Sequence, residues 1–253
     1  PHRRDAFISI GCAVEHLVLA AKYFNVFDAV KLYHPDTNHP IAEVYFQNLT
    51  ENRPIVFSLQ PLMHTILRRV NGRGIFDNTA INTALVQQIH DILEKAYDLD
   101  QISLHYIKDK DSIKKLATLT GEGIKLAYRN PQFRKEMSHW MHYNLTKKRD
   151  GLPGYSLRMP LMISFIIPTL VRFINLGRLL AKLNYQSINS APIICVLSSN
   201  NNTPLGWVHI GRVAERIMLE MQSQHIQTSI FAAAIEMGEL YKEIQKVIGT
   251  DEI

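Results

Sequence analysis

FISIGCAVEHLVLAAKYFNVFDAV, running from Phe7 to Val30, returns without a gap as WVHIGRVAERIMLEMQSQHIQTSI, from Trp207 to Ile230. Ile10/Ile210, Gly11/Gly211, Glu15/Glu215 and Leu19/Leu219 are identical, and Phe7/Trp207, Ile8/Val208, Leu17/Ile217, Val18/Met218, Val26/Ile226 and Val30/Ile230 keep their character. Each copy reads as an aromatic entry, a glycine, a helix apolar on nearly every side, and a polar loop leading into a β-prone segment. A helix of that kind must be covered by another helix or by a sheet. Two copies in one chain predict two similar halves related by a pseudo-twofold axis, a dimer folded into one polypeptide.

Outward from the first copy, the pattern predicts a helix over Ala6 to Asn25 and short β-rich runs over Val30 to Tyr33 and Ile41 to Phe46. HisProAspThrAsnHisPro, residues 34–40, is a turn-rich connector, and Asn48 to Pro61 reads as the boundary between halves. Thr79 to Tyr97 has the spacing of an amphipathic helix, and Ile102 to Ile107 that of a strand. A helix from Ser112 is expected to break near Gly121 and Gly123. Another opens at Asn130-Pro131 and is expected to turn Met137, Trp140 and Met141 inward. Toward the second copy, Pro192 to Leu197 reads as a buried central strand. The second copy itself is the helix Trp207 to Gln224. Thr228 to Ala234 follows as loop or strand, and Met237 to Ile248 as a last helix, stopped by Gly249. The fold class expected from this mixture is α+β, with helices around central sheets.

Composition sets wide bounds. The chain has 253 residues, 46% hydrophobic and 20% charged, enough for a sizeable core and far from a disordered composition. Its net charge is +5, carried in short clusters at Arg3-Arg4, Arg68-Arg69, Lys114-Lys115 and Lys147-Lys148-Arg149. These lack the density or aromatic interleaving of a nucleic-acid surface and read as solvated faces. A modest positive field favours a phosphorylated cofactor. Cys12 and Cys195 sit in apolar segments and read as reduced thiols of a cytoplasmic protein. The start at Pro1 and the end soon after Gly249 read as sequence missing at both ends.

Between the copies lies AspGlyLeuProGlyTyrSer, Asp150 to Ser156, an irregular stretch before Met159 to Val171, which is uncharged, interrupted by Pro168 and closed by Arg172. A spanning helix needs about 20 apolar residues, so no stable membrane span is expected. A lid or an interfacial helix through Leu161, Phe165 and Ile166 remains. Neither His34, Asp36 and His39 nor His139 and His142 has convincing metal-ligand spacing, and no metal is expected. Gly154, Ser156 and Arg158 lack the second glycine of a nucleophile elbow. Gly72/Gly74 and Gly121/Gly123 lack the context of a dinucleotide fold.

The helix with its glycine and GluHisLeu, the ProIleIleCysValLeu strand, the helix GlyArgValAlaGluArgIle, and AspGlyLeuProGlyTyrSer before an apolar, Pro-containing segment together resemble the nitroreductase family. The nearest likeness is to the branch in which two such halves are fused in one chain. The resemblance implies that residues 1–47 are the end of a first half and 48–253 the second half, with a lid-like insertion at 150–175. It implies FMN between the halves and NAD(P)H as co-substrate, giving two-electron transfer to electron-poor small molecules such as nitro compounds or quinones. An alternative it leaves open is a flavin-binding or flavin-storing protein with little turnover. An internal dimer would allow a monomer in solution.

Carried over residue by residue, the resemblance assigns Arg53 to the flavin phosphate and Arg134 and Lys135 to a phosphate-facing helix. It assigns Thr228, Ser229 and Phe231 to the loop facing the ring, with Asn25, Val26 and Phe27 as the matching loop of the first half. The family's motif of asparagine, glutamine, proline and tryptophan at the ring has no counterpart in this chain, nor has its closing arginine. No protein side chain is expected to act as a catalytic acid or base, because the flavin carries the hydride chemistry.

Overall fold

In the first repeat copy the helix α1, Arg4–Tyr23, lies along the helix of the second, α8, Pro204–Ser223, and this is the most extensive helix packing in the chain. The protein is described by a computed structural model covering residues 3–35, 39–47, 53–72, 74–77, 79–97, 99–157 and 159–252. Gly11 and Gly211 sit at the crossing. A Cβ on Gly11 would run into the carbonyl oxygen of Val208, and one on Gly211 into that of Ile8. The absence of both side chains therefore lets two helix backbones touch, and the touching partners are themselves a repeat pair, Ile8 and Val208. Phe7 and Trp207, a further pair, meet with ring centroids 5.7 Å apart. Leu19 and Leu219 are both fully buried and share a cluster with Leu62.

The two helices also end alike. Asn25 and His225 are the non-glycine residues with positive φ among those described, at 56° and 61°. The next amide reaches back across the last turn in each case, Val26 N–H to Ala21 O and Ile226 N–H to Met221 O, both at 2.9 Å. These bonds satisfy carbonyls that a helix end leaves without partners.

From α1 the chain enters a hairpin of β1, Phe27–Leu32, and β2, Ala42–Phe46, paired antiparallel. Asp36, and residues 48–52 of the expected boundary, lie outside the described residues. The helix α2, Gln60–Arg68, follows an extended segment and a single 3-10 turn, so Pro61 belongs to a helix rather than to a linker. Next comes α3, Thr83–Ala96, whose start is fixed by the Asn82 side chain accepting from Ala84 N–H at 2.9 Å. The strand β3, Ile102–Ile107, then leads to α4, Lys110–Arg129, capped by Asp109 accepting from Ser112 N–H at 2.8 Å.

The helix α4 does not break at its glycines. It runs through both, because they serve close packing: Gly123 faces the carbonyl of Ala233, and Gly121 faces Ala181. The helix α5, Pro131–Trp140, starts at an Asn130 cap with proline in its first turn. Met137 and Met141 pack inward as expected, but Trp140, the last residue of α5, is 44% exposed. Two short parallel strands, β4, Met141–His142, and β5, Leu152–Pro153, lead through a 3-10 turn to α6, Leu161–Phe173. Pro168 does not interrupt α6, although its ring removes the amide that would otherwise bond to the carbonyl of Ser164.

The helix α7, Gly177–Ser190, packs along α4. Then β6, Ile194–Ser199, pairs antiparallel with β3 from Ile102↔Ser199 to Ile107↔Ile194. The expected central strand is thus one half of a two-stranded ribbon among the described residues, mostly half-buried, packed on the cluster of α3 and α8 with no third strand paired to it there. After α8 the chain closes with α9, Ala233–Glu236, and α10, Leu240–Ile248, which stops at Gly249 in the left-handed region, φ 71°.

The architecture is α+β: ten helices and three small two-stranded sheets among the described residues. One core cluster gathers Ile89, Leu93, Ile102, Val213, Ile217 and Met221 where α3, β3 and α8 meet. A second joins Ala127 and Tyr128 of α4 to Met141 and to Val171 of α6. By length and hydropathy α1 could cross a membrane; here 39% of its apolar window is buried, and it lies against α8.

Candidate functional site

Just past the glycine crossing, α1 and α8 bury a set of charges between them. Glu15 and Glu215 are 2% and 1% exposed. Glu15 meets Arg212 Nε at 3.3 Å and Arg216 at 3.7 Å, while Glu215 meets His16 Nε2 and Arg69 Nε, each at 2.7 Å. Glu15 with Arg216 and Glu215 with His16 occupy corresponding repeat positions, so each helix inserts a carboxylate that the other helix answers with a basic side chain. Arg216 also pairs with Glu220 at 2.8 Å, and the Arg212 guanidinium lies 5.3 Å from the centre of the Tyr97 ring.

The electrostatics follow from this enclosure. Burial works to raise the pKa of Glu215, but the His16 hydrogen bond and the Arg69 charge outweigh it and hold the carboxyl below its ordinary range. Burial pushes the Tyr97 phenol up, and the neighbouring Glu15 adds to the rise. Cys12 donates to Gly211 O at 3.4 Å; burial, reinforced by Glu215, raises its thiol to about 12. Burial alone raises Cys195 to about 12. Both cysteines are free, and neither has the lowered pKa of a reactive thiol. Arg69, from a cluster expected to be solvated, is instead drawn inward by Glu215.

The six residues assigned to a flavin fall in three places. Arg53 lies beside the end of α1, where its guanidinium donates to the Gln47 side chain and, at 3.5 Å, to the carbonyl of Asn25. It thereby touches the loop expected to match the ring-facing loop. Thr228 O accepts from Gly72 N–H at 2.7 Å, and Ile230 N–H donates to the Asn71 side chain at 2.9 Å, pinning the second loop to residues 71 and 72. Within it, the Ser229 hydroxyl is buried without a hydrogen-bond partner among the described residues. Phe231 is half-buried.

Arg134 and Lys135 stand on α5. Arg134 donates to the carbonyls of Tyr128 and Arg129 at 2.8 and 3.2 Å, where the C-terminal end of α4 favours a cation, and its Nε is buried without a partner among the described residues. Lys135 faces an open depression shared with Gln132, Glu136, Ser138, His139 and Arg172. Of the six, Lys135 alone lines this depression, and none lines the apolar groove formed by Ile10, Ala13, Val14, Leu17, Ile41, Ala42 and Val44. Among the described residues, no group of three or more His, Cys, Asp or Glu side chains is arranged to hold a metal ion.

Sequence reasoning did not single out the buried ion network. A signal was present: Glu15 and Glu215 fall at one repeat position in the middle of apolar helices, and a charge there has to be paired. It also passed over a small polar group on the ribbon. His105 Nε2 lies 2.8 Å from Ser198 Oγ, which donates to Glu252 at 2.7 Å. In that group the serine hydroxyl is already turned toward a carboxylate.

No family model matches the chain, and no curated protein matches it.

Proposed function

We propose that the chain belongs to an FMN-dependent oxidoreductase of nitroreductase type, built as two fused halves and passing two electrons from NAD(P)H to electron-poor small molecules such as nitro compounds or quinones. The observation that carries this reading is the reciprocal crossing of α1 and α8. Gly11 against Val208, Gly211 against Ile8 and Phe7 against Trp207 are contacts between repeat positions, and the left-handed ends at Asn25 and His225 correspond, which supports two copies meeting about a twofold axis. On this reading the two post-helix loops would border the flavin.

The residues fit such a group in part. Arg53 has the planar fork that grips a phosphate and stands beside the first loop. Ser229 holds a buried hydroxyl with no partner among the described residues, suited to a flavin carbonyl or ring nitrogen, and Phe231 follows two residues on with an apolar ring. Arg134 has its guanidinium committed to the end of α4, so it and Lys135 act through their positive field near the start of α5. The bound flavin would supply the hydride chemistry, and these side chains would bind and orient it.

Titration of the purified protein with FMN, read as flavin fluorescence quenching and an absorbance band at about 450 nm, tests this. Saturable binding is expected, weakened roughly tenfold or more in Arg53→Ala by loss of a charge-assisted hydrogen bond. No binding overturns the proposal. Binding without NAD(P)H oxidation in the presence of a quinone would leave a flavin-holding protein in place of an oxidoreductase.

A further inference from the structure

Most of α6 is apolar and uncovered. Of its 13 residues only Ser164 and Val171 are buried, while Leu161, Met162, Phe165 and Ile166 are exposed by 43%, 77%, 47% and 56%. The exposed apolar surface continues past the bend into α7 through Phe173, Leu179 and Leu183. A contiguous surface of this kind on a soluble fold marks something it touches.

Positive charge surrounds it. The segment 123–190 carries eleven Lys and Arg against two acidic residues, Glu136 and Asp150, although the whole chain has only 28 basic against 23 acidic. The remainder of the chain is therefore acidic overall, and the basic excess is concentrated in the segment that contains α6. The structure ties this charge to the apolar helix. Tyr143 stacks on Phe165 with centroids 5.2 Å apart, and Asn144 binds Ser164 Oγ through its backbone N–H at 3.0 Å and Met159 O through its side chain at 2.9 Å. The exposed run Lys147, Lys148, Arg149 begins three residues beyond that anchor. Arg172 closes α6, and Arg178 and Lys182 are exposed beside Leu179 and Leu183 on α7.

We propose that this face docks on an anionic phospholipid surface, with α6 lying in the plane of the bilayer interface and the basic residues on the headgroup phosphates. Thirteen helical residues span about 20 Å, short of the roughly 30 Å hydrocarbon core, and α7 turns away at 118° instead of extending the helix. Apolar side chains flanked by Lys and Arg are the composition of an interfacial helix. The exposed rings of Tyr143 and Tyr155 suit the headgroup level. Charge complementarity selects this occupant over a second copy of the chain, since apposing two such faces would bring like charges together.

Flotation of the full chain with vesicles of phosphatidylcholine, with and without phosphatidylserine, tests the proposal. The protein should float with the phosphatidylserine vesicles, be released by added salt, and bind pure phosphatidylcholine several-fold more weakly. Met162→Glu and the pair Lys147→Glu with Lys148→Glu alter exposed side chains and should each lower flotation by roughly tenfold or more, with the circular dichroism spectrum and melting temperature unchanged. Equal binding to both vesicle types overturns the electrostatic docking. Absence of flotation overturns the whole proposal, and if it accompanies a concentration-dependent dimer that Met162→Glu dissolves, the face belongs to a second copy.

Discussion

Glu215 shows at the scale of one side chain how the chain holds itself together. Its carboxylate is enclosed, and the His16 hydrogen bond and the Arg69 guanidinium answer it, so its folded pKa lies below the 4.5 of the free group. Above pH 4.5 the carboxyl is ionised in both the folded and unfolded chains, and its stabilisation is fully present. As the pH falls below that value the unfolded chain takes up the proton first, and the stabilisation drains away until the pH passes the folded pKa. Urea midpoints measured downward from neutral pH should therefore fall below pH 4.5. Glu215→Gln should cost about 3–5 kcal/mol at neutral pH, because it leaves the Arg69 guanidinium without its counter-charge, and should flatten the acid limb. An acid limb as steep as that of the parent chain would assign it to other carboxylates. The sequence placed Glu215 at a repeat position but could not reveal its partners. Arg69 is 146 positions away, in a cluster whose neighbour Arg68 stays in solvent, and local charge density does not distinguish the two.

Helix α4 brings the same lesson to the scale of an element. Two glycines in a short interval predict a break by their propensity, about 1 kcal/mol each against alanine, yet the helix continues because their missing side chains are used in packing. They are used unequally. A Cβ on Gly121 would find Ala181 at 3.6 Å, an ordinary contact, whereas one on Gly123 would collide with the backbone of Ala233. Gly121→Ala should then raise stability by about 0.5–1 kcal/mol through helix propensity, and Gly123→Ala should lower it by about 1–3 kcal/mol through overpacking. Equal shifts of the two melting temperatures would refute that division. Helices with clean periodicity or a cap signal were legible from the sequence: α5 after Asn130, and α3, expected from Thr79 but begun at Thr83 by the Asn82 cap the periodicity did not register. The helices α2 and α7 were not. The apolar positions of α7 are split between a face on α4 and the exposed Leu179 and Leu183, which blurs the single stripe that periodicity detects.

Across the whole molecule, the repeat was the most legible feature and the site the least. The repeat marked α1 and α8 as helices needing cover, and they cover each other. The flavin contacts came from resemblance, and the structure gives Arg53, the 228–231 loop and α5 different protein partners. Because α1 fills the flank of α8, residues 53–253 alone should lose cooperative unfolding. A thermal melt followed by circular dichroism should show a broad, low transition, and a sharp one near that of the full chain would make the first 52 residues dispensable. The distance between the two helices along the chain also has a consequence for synthesis. At about 5–20 residues per second, a ribosome needs roughly ten to forty seconds to make α8 after α1 has emerged. For that interval α1 waits with its glycine face bare, and it is apolar enough to pass for a bilayer-crossing segment. Whatever handles greasy nascent chains in the cell therefore meets the first repeat copy well before its mate exists, and the newborn protein must be sheltered until the two can close on each other.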